Sequence, residues 1–351
     1  MHVEEPAGTH GAPSDVAPRL FQKRVADEAQ VTARSAALFR FGEQCNNDCP
    51  MCSNTGEGGL FFHPVEELLR RADLLHERGF RRVVVTGGEA TIHPGFWTVV
   101  ERLAAHGMVW DTNTHGRTFS RPGFAARAVG TGLRRAIVSL HSFDPAASAA
   151  IFGADERAHH ETVDGIERLL EAGAGVMLNC VLNTLNLARL DDYLREGAER
   201  YGRRVAFKFV FPSTIGKGGR WPGIATLRYA DAKAAVQALR ARAAALRLRV
   251  FFESFPLCVL RDPTSLNLGR SAFGESHYLD DATGTRVYSM RHIEAELSCY
   301  GLACRECAAL RRCPGIALAY ARRHGTGELV PFRSESPGGA IRAAGEALPD
   351  E

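Results

Sequence analysis

Between about residue 34 and residue 250, one pattern of apolar and polar positions repeats along the chain. Each repeat has a short apolar run and then a stretch in which apolar side chains recur every three or four residues. The short runs predict buried strands, and the longer stretches predict amphipathic helices. The predicted strands lie within RSAALFRFG, RRVVVTGG, GMVWDTNT, RRAIVSLHS, GVMLNCVLN and RVAFKFVF. The predicted helices lie at 64–78, 96–106, 122–130, around 163–170, at 187–201 and at 230–246.

Strands and helices that alternate in this way predict an α/β fold with parallel strands, because each strand must return through a helical crossover. Six such units are too few for a complete eight-fold barrel. We therefore expect a partial (β/α)6 TIM-type barrel with a small C-terminal extension. The chain then divides into a flexible lead-in at 1–33, the barrel at 34–250, the extension at 251–335 and a polar tail at 336–351.

Polar residues stand where several of the predicted strands end. In parallel α/β sheets, the carboxyl ends of the strands carry the functional site. The residues at these ends are Cys45, Cys49 and Cys52, then Gly87, Gly88 and Glu89, then Ser139 and His141, and then Asn183. Lys208, in the sixth strand, either faces the barrel interior or snorkels outward. The sequence therefore predicts one site at this edge of the sheet.

Composition and charge exclude several classes of protein. The net charge is only +3, and Lys and Arg do not cluster among aromatic residues, so we expect no nucleic-acid partner. No run of about eighteen apolar residues is present, so we expect no membrane span. The N-terminus lacks the apolar core of a signal peptide, which favours a cytoplasmic location. In that reducing compartment, clustered cysteines favour metal sites over disulfides.

Three of the nine cysteines fall in the segment CNNDCPMC, at Cys45, Cys49 and Cys52. Three thiolates from one loop can hold three irons of a 4Fe–4S cluster and leave the fourth iron open. An open coordination position distinguishes a reactive metal site from a closed structural one. The alternative is a zinc site completed by a histidine such as His63, although zinc ligands usually come in closely spaced pairs.

The Cys-x3-Cys-x2-Cys spacing after the first strand resembles the radical S-adenosylmethionine (radical SAM) superfamily, as do Gly-Gly-Glu after the second strand and the six-unit repeat. The resemblance covers about residues 34–250. It implies that the cofactors are a 4Fe–4S cluster and S-adenosylmethionine, whose amino and carboxylate groups chelate the open iron. It also implies that a 5′-deoxyadenosyl radical abstracts hydrogen from a substrate.

The resemblance assigns roles to the Gly-Gly-Glu segment. Gly87 and Gly88 have no side chains, which implies that the backbone there approaches the methionine ammonium closely. Glu89 would balance the charge of that ammonium, because an unpaired carboxylate is costly to bury. The alternative for Glu89 is an exposed acidic residue after a turn.

Three further residues receive roles from the resemblance. Ser139 and Asn183 would hydrogen-bond the ribose or the methionine carboxylate, or else they are strand-end polar groups that satisfy the backbone. Met51 stands where many family members have an aromatic residue, and we expect it to contact adenine as an adaptable apolar surface. The chain also departs from the family at Ala90, where proline is frequent.

A second group of cysteines lies in SCYGLACRECAALRRCPGI. Cys304, Cys307 and Cys313, followed by Pro-Gly, resemble the auxiliary cluster region called SPASM or its shortened twitch form. That resemblance implies an auxiliary 4Fe–4S cluster with an upstream cysteine as fourth ligand, for which Cys258 is the candidate. Cys299 would be a spare thiol or an alternative fourth ligand.

Seven cysteines suffice for one radical SAM cluster and one auxiliary cluster. Cys180 has the pattern of a buried core thiol. We therefore expect two clusters and not three. A tetrathiolate zinc site is the alternative for the second group, since the sequence cannot name the metal.

The resemblance implies two broad types of substrate. The first is a ribosomally made peptide that receives a cross-link, a thioether or an epimerised residue. The second is a small molecule or nucleotide that is oxidised, cyclised or joined through a carbon–carbon bond. We expect the peptide and a flavodoxin- or ferredoxin-type reductant. A non-catalytic iron–sulfur protein is a third possibility, although it would need neither Gly-Gly-Glu nor an open iron.

Overall fold

The structure is a computed structural model that describes residues 20–22, 31, 32, 34–54, 59–213, 227–262, 276–279 and 287–333. Most of the predicted lead-in at 1–33 and the whole predicted tail at 336–351 lie outside the described residues. The division of the chain at these boundaries remains a prediction.

The six predicted strands are all present, as β2 to β7, and they are joined by further strands. The strands are β1 (Leu20–Phe21), β2 (Ala36–Arg40), β3 (Arg82–Thr86), β4 (Val109–Thr114), β5 (Leu133–Ser139), β6 (Gly175–Val181), β7 (Val205–Val210), β8 (Val250–Glu253), β9 (Ser276–Leu279), β10 (Val287–Ser289), β11 (Ser298–Gly301) and β12 (Ile316–Ala317). Within the described part of the chain, nine of them form one sheet in the order β10-β9-β2-β3-β4-β5-β6-β7-β8. In this spatial order, every pair of neighbouring strands between β9 at one side and β8 at the other is parallel. Strand β10 is antiparallel to β9. The predicted parallel α/β fold is confirmed.

The predicted helices are also present, with ends that differ by a few residues, most at the start of α5. The helices are α1 (Val65–Glu77), α2 (Phe96–Ala105), α3 (Phe124–Gly130), α4 (Pro145–Phe152), α5 (Glu156–Glu171), α6 (Leu190–Tyr201), α7 (Tyr229–Ala245), α8 (Leu257–Leu260), α9 (Met290–Leu297) and α10 (Leu318–His324). Helix α4 is additional to the prediction. Its N-terminus is capped by Asp144, whose Oδ1 accepts from the amide of Ala147 at 2.7 Å. No described helix combines the length and the apolar character that a membrane crossing demands.

Side chains alternate between the two faces of the strands, so the sheet has an inner and an outer face. The outer face packs against the helices through large apolar side chains such as Trp110 and Phe207. At the amino ends of the strands, the inner face carries an ion pair in which Arg82 Nε donates to Asp111 Oδ2 at 2.9 Å. Apolar residues form the next layer, which includes Ile137 and Met177. The inner face becomes polar again only at the carboxyl ends, where the candidate site lies.

The sheet continues past residue 250, because β8, β9 and β10 come from the predicted extension. A second sheet has the order β1-β11-β12. In it, Leu20 pairs with Gly301 and Phe21 pairs with Tyr300 in an antiparallel ladder. The described part of the lead-in therefore packs on the region that holds the second group of cysteines.

Candidate functional site

A cavity of about 950 Å³ opens at the carboxyl ends of the parallel strands. Most of the residues that the sequence predicts for the first site line it. These are Cys45, Cys49, Met51, Cys52, Gly87, Gly88, Glu89 and Ser139. The structure therefore brings the cysteine loop, the Gly-Gly-Glu segment and the end of β5 around one space. The volume is within the range of cofactor and substrate pockets.

Asn183 is the exception among the predicted residues, since it does not line this cavity. It lies two residues beyond the end of β6 and is fully buried. Its Nδ2 donates to the carbonyl of Val181 at 3.1 Å, and its Oδ1 accepts from the amide of Leu185 at 2.9 Å. These contacts match the alternative in which Asn183 satisfies the backbone of a turn. The cavity is lined instead by Asn179, which is paired in register with Ser139.

The cysteine loop is fastened to the barrel by two residues that follow β4. The imidazole Nε2 of His115 lies 2.6 Å from Oδ1 of Asn46. Arg117 Nη1 donates to the carbonyl of Asn46 at 2.9 Å and to Oδ1 of Asn47 at 2.7 Å. These contacts fix the loop segment directly after Cys45. No local pattern in the sequence predicts these contacts, because residues 46 and 117 meet only through the tertiary fold.

The other side of the loop rests on α4. The amide of Asp48 donates to the carbonyl of Phe152, the last residue of that helix, at 2.9 Å. Gly153 has a φ of 59°, and a Cβ at this position would collide with the carbonyl oxygen of Asp48. Met51 is buried and packs against Ile151 in the same helix. The unpredicted helix is therefore the support of the cysteine loop.

Gly87 and Gly88 allow two segments of the chain to approach each other closely. The amide of Gly88 donates to the carbonyl of Gly42 at 2.9 Å, and the amide of Glu89 donates to the carbonyl of Gln44 at 2.8 Å. A Cβ at Gly88 would fall well inside contact distance of the Gln44 carbonyl oxygen. The two glycines therefore lock the Gly-Gly-Glu segment against the chain that leads into the cysteine loop, while both still line the cavity.

Glu89 is only 1% exposed, so it is not the surface residue of the alternative interpretation. Its Oε1 accepts from the hydroxyls of Thr91 at 2.6 Å and Thr114 at 2.9 Å. Its Oε2 accepts from the backbone amide of His115 at 2.9 Å. These neutral donors satisfy the oxygens of the buried carboxylate, which lowers the cost of placing it beside the cavity. It can therefore face a cation in that cavity.

The two histidines of the site are buried. Burial lowers the pKa of His115 below its usual value, although the Glu89 carboxylate, 3.4 Å from Nε2, opposes this. Burial lowers the pKa of His141 to about 4. In both rings Nδ1 accepts a backbone amide, from Arg117 at 3.1 Å and from Val181 at 3.1 Å respectively. Both side chains are therefore neutral near pH 7, with the proton on Nε2.

A polar belt lines the part of the cavity that faces β6, β7 and β8. Lys208 on β7 is 8% exposed, and its Nζ lies 3.1 Å from Oε2 of Glu253 on β8. Lys208 therefore faces the interior. Asn179 pairs with it in register, and its buried Oδ1 has no hydrogen-bond partner among the residues that the structure describes. The sequence signal for this belt was Lys208, the one charged residue in the otherwise apolar run VAFKFVF.

The three cysteines of the loop fit the open cluster that their spacing predicts. All three are partly exposed to the cavity and form no disulfide. Burial raises the pKa of Cys45 to about 11, so a metal that binds this thiol near pH 7 displaces a proton from it. Among the described residues, no three His, Cys, Asp or Glu side chains converge on a single metal ion. Each thiolate of a 4Fe–4S cluster binds its own iron, so convergence on one point is not required.

The second group of cysteines lines a smaller cavity. Cys258, Cys304, Cys307 and Cys313 surround it, together with apolar residues that include Leu257, Leu310, Leu329 and Phe332. The upstream cysteine thus lies beside the other three, as the resemblance implies. Cys299 is fully buried and does not line this cavity. The donor set and its apolar surroundings fit a cluster with four thiolate ligands.

The family model of the radical SAM superfamily matches residues 39–196. A probable GTP 3′,8-cyclase of Sulfurisphaera tokodaii is 30% identical over 177 residues, which are 49% of this chain and 55% of that protein. The mycofactocin maturase MftC of Mycobacterium tuberculosis is 29% identical over 177 residues, which are 49% of this chain and 44% of that protein. The matched region thus spans about half the length of these relatives.

The fold is similar to that of SuiB from Streptococcus suis. SuiB bound to S-adenosylmethionine has a TM-score of 0.59 at 11% identity, covering 86% of this chain and 76% of SuiB. SuiB bound to its precursor peptide SuiA has a TM-score of 0.54 at 11% identity, covering 70% of this chain and 57% of SuiB. At such low identity the similarity concerns the fold alone. Residues 39–196 therefore match the radical SAM superfamily, whose members use a 4Fe–4S cluster and S-adenosylmethionine, and strands β3 to β6 of the parallel sheet lie within this matched region.

Proposed function

We propose that this protein is a radical SAM enzyme in the maturation of a ribosomally made peptide. When bound, the cluster and S-adenosylmethionine supply reductive cleavage of the sulfonium and abstraction of a substrate hydrogen by the 5′-deoxyadenosyl group. The observation that carries the proposal is the cavity at the strand ends, which holds the three-cysteine loop and the Gly-Gly-Glu segment together.

In this proposal the residues of the chain bind and orient the cofactor. Cys45, Cys49 and Cys52 hold three irons. Glu89, fixed by its own hydrogen bonds, faces the ammonium of S-adenosylmethionine and balances its charge. Met51 provides an apolar surface for adenine.

We assign recognition of the ribose or of the methionine carboxylate to polar side chains at the ends of β5 and β6. Ser139 lines the cavity and is available for it. Asn183 is engaged in its turn, so in our proposal it supports the end of β6 and Asn179 takes the position beside the ligand.

The charges in the cavity favour a peptide substrate over a nucleoside triphosphate. Among the described lining residues, Arg40 and Lys208 are the basic side chains other than histidine. Arg40 lies 3.3 Å from Glu43 and Lys208 lies 3.1 Å from Glu253, so both cations already face carboxylates. Arg and Lys side chains that are not already paired with carboxylates are the ones best able to bind phosphate oxygens. The match to a mycofactocin maturase and the fold of SuiB support the same choice.

The alternative is radical modification of a small molecule or nucleotide, which the match to a probable GTP 3′,8-cyclase favours. A thermal shift measurement on the anaerobically reconstituted protein separates the two. We expect no rise in melting temperature with millimolar GTP, since a ligand that binds only the folded state raises that temperature. A rise that saturates with GTP would favour the nucleotide.

The proposal includes an auxiliary 4Fe–4S cluster held by Cys258, Cys304, Cys307 and Cys313. The shared cavity of the four thiols supports it. Zinc at the same thiolates is the competing assignment, and metal analysis distinguishes them. A flavodoxin- or ferredoxin-type reductant and a cytoplasmic location complete the proposal.

The test is anaerobic incubation of the reconstituted protein with S-adenosylmethionine and dithionite. We expect 5′-deoxyadenosine to form, and Cys45→Ala to abolish its formation. Cys180→Ala is the matched control, because this thiol is fully buried in the core and lines neither cavity. If the intact protein carries its clusters and still forms no 5′-deoxyadenosine, the protein is a non-catalytic iron–sulfur carrier and the proposal is wrong.

A further inference from the structure

The peptide unit between Asn46 and Asn47 is engaged at both ends. Its carbonyl oxygen, from Asn46, accepts a hydrogen bond from Arg117 Nη1 at 2.9 Å. Its amide N–H, from Asn47, is directed at Sγ of Cys45, and the distance from the amide nitrogen to Sγ is 3.4 Å. The same Nη1 also donates to Oδ1 of Asn47 at 2.7 Å. One guanidinium therefore fixes the plane of the peptide whose N–H faces the thiol.

Arg117 is itself held in place from the opposite side. Its Nε donates to Oε2 of Glu161 on α5 at 2.7 Å, and its backbone amide donates to Nδ1 of His115 at 3.1 Å. The side chains of the ion pair are 16% and 22% exposed, so solvent screens them only partly. The planar guanidinium presents its donors in a fixed fork. The barrel and α5 together therefore set the orientation of this peptide.

We infer that Arg117 is a positioning residue that sets the reduction potential of the cluster at Cys45, Cys49 and Cys52. The inference rests on the proposed function, since it requires that cluster. Hydrogen bonds to the sulfurs tune the potential of iron–sulfur clusters. An N–H directed at the Cys45 sulfur stabilises the more negative, reduced state and so raises the potential. The cation on the carbonyl of the same peptide polarises this N–H and strengthens the effect.

The experiment compares Arg117→Met, Arg117→Lys and the control Arg157→Met with the parent protein. Arg157 pairs with the other oxygen of Glu161 at 2.8 Å, but its side chain is 79% exposed. Each full-length protein is reconstituted anaerobically and titrated potentiometrically. The readout is the EPR signal that changes when S-adenosylmethionine is added, which identifies the cluster with the open iron.

We expect R117M to shift the midpoint potential to a more negative value. At a fixed solution potential the ratio of reduced to oxidised cluster should fall about tenfold, which is about 59 mV for a one-electron couple. R117K keeps the charge without the fork, so its potential should lie between those of R117M and the parent. R157M should match the parent. If R117M takes up no iron, the midpoint potential of R117K is compared with that of the parent instead.

Two results would overturn the inference. In the first, both Arg117 variants bind the cluster and keep the potential of the parent. In the second, R117K restores the potential in full, which assigns the effect to charge alone and not to the oriented peptide. Absence of any signal that responds to S-adenosylmethionine in the parent contradicts the proposed function itself. A merely structural role for Arg117 would lower thermal stability and leave the potential unchanged.

Discussion

His115 Nε2 lies 2.6 Å from Oδ1 of Asn46, so a residue beyond the end of β4 is tied to the residue that follows Cys45. The imidazole is 6% exposed and its Nδ1 already accepts the amide of Arg117. The contact spans two loops that are distant in sequence. It makes the position of the cysteine loop depend on the end of the third strand of the barrel.

We expect His115→Leu to reduce iron loading at the first site. The side-chain oxygen Oδ1 of Asn46 loses its hydrogen-bond partner, and the cysteine loop loses one of its contacts with the barrel. His115→Gln should retain most of the loading, since its side-chain amide can still donate to Asn46. Iron per chain and the EPR signal that responds to S-adenosylmethionine measure the effect. Equal loading in the two variants would show that this contact does not position the loop.

Gly88→Ala should prevent the first site from forming. The added Cβ collides with the backbone oxygen of Gln44, and backbone cannot move aside as a flexible side chain can. Gly130→Ala is the matched control, because a Cβ there meets nothing within 4 Å. We expect G88A to lose iron at Cys45, Cys49 and Cys52 and to melt at a lower temperature. Full iron content in G88A would mean that the approach of the two segments is dispensable.

Stability should fall as the pH decreases from about 6.5 to about 4, in part because of His141. Its pKa is lowered to about 4 by burial, while in the unfolded chain it titrates near 6.5. The unfolded state therefore binds more protons in this window, and folding loses up to about 3 kcal/mol there. Below the folded pKa the loss levels off.

His141→Asn removes this titration while its Oδ1 can still accept the amide of Val181, which Nδ1 accepts in the parent. Urea unfolding at several pH values should show a smaller loss of stability in H141N than in the parent. His159, whose pKa is also lowered to about 4, contributes equally to both proteins and cancels in the difference. Identical pH profiles would place the histidine in a less buried environment than the structure gives it.

Iron analysis tests the auxiliary cluster. The parent should carry about eight irons and eight sulfides per chain, since each cluster holds about four. Cys258→Ala should reduce the content to about four, because Cys258 lines the cavity with the other three thiols. Cys299→Ala should leave it near eight, because that thiol lies outside the cavity. About four irons in the parent, or zinc in place of iron, would reject the auxiliary cluster.

The barrel could be predicted because its signals are local. An apolar run followed by a helical period needs no knowledge of the rest of the chain, and the six runs became β2 to β7 in one parallel sheet. Helix α4 was not predicted, because its segment PAASAAIF has no polar face and therefore shows no amphipathic period. The local signal that it did carry was Asp144 followed by Pro145, a cap and a favoured first residue.

The site could be predicted only as far as the ends of the strands. The cysteine loop and Gly-Gly-Glu segment meet there, and Ser139 lines the same cavity. The choice of Asn183 over Asn179 depended on register, which is set by pairing with β5 and not by the segment itself. The anchors His115 and Arg117 follow β4 and reach the loop after β2 across the sheet. No spacing in the sequence encodes that contact.

The pairing of Leu20 with Gly301 bears on how the protein matures in the cell. Strands β11 and β12 are synthesised after the barrel strands, whereas β1, which pairs with β11, is synthesised before them. The first cysteine loop can acquire its supports once α5 has been translated. The second cysteine group must wait until its own sheet can close against that early strand. For the two clusters of the proposed function, nascent chains should therefore become competent for iron insertion at the barrel first and at the second cysteine group afterwards.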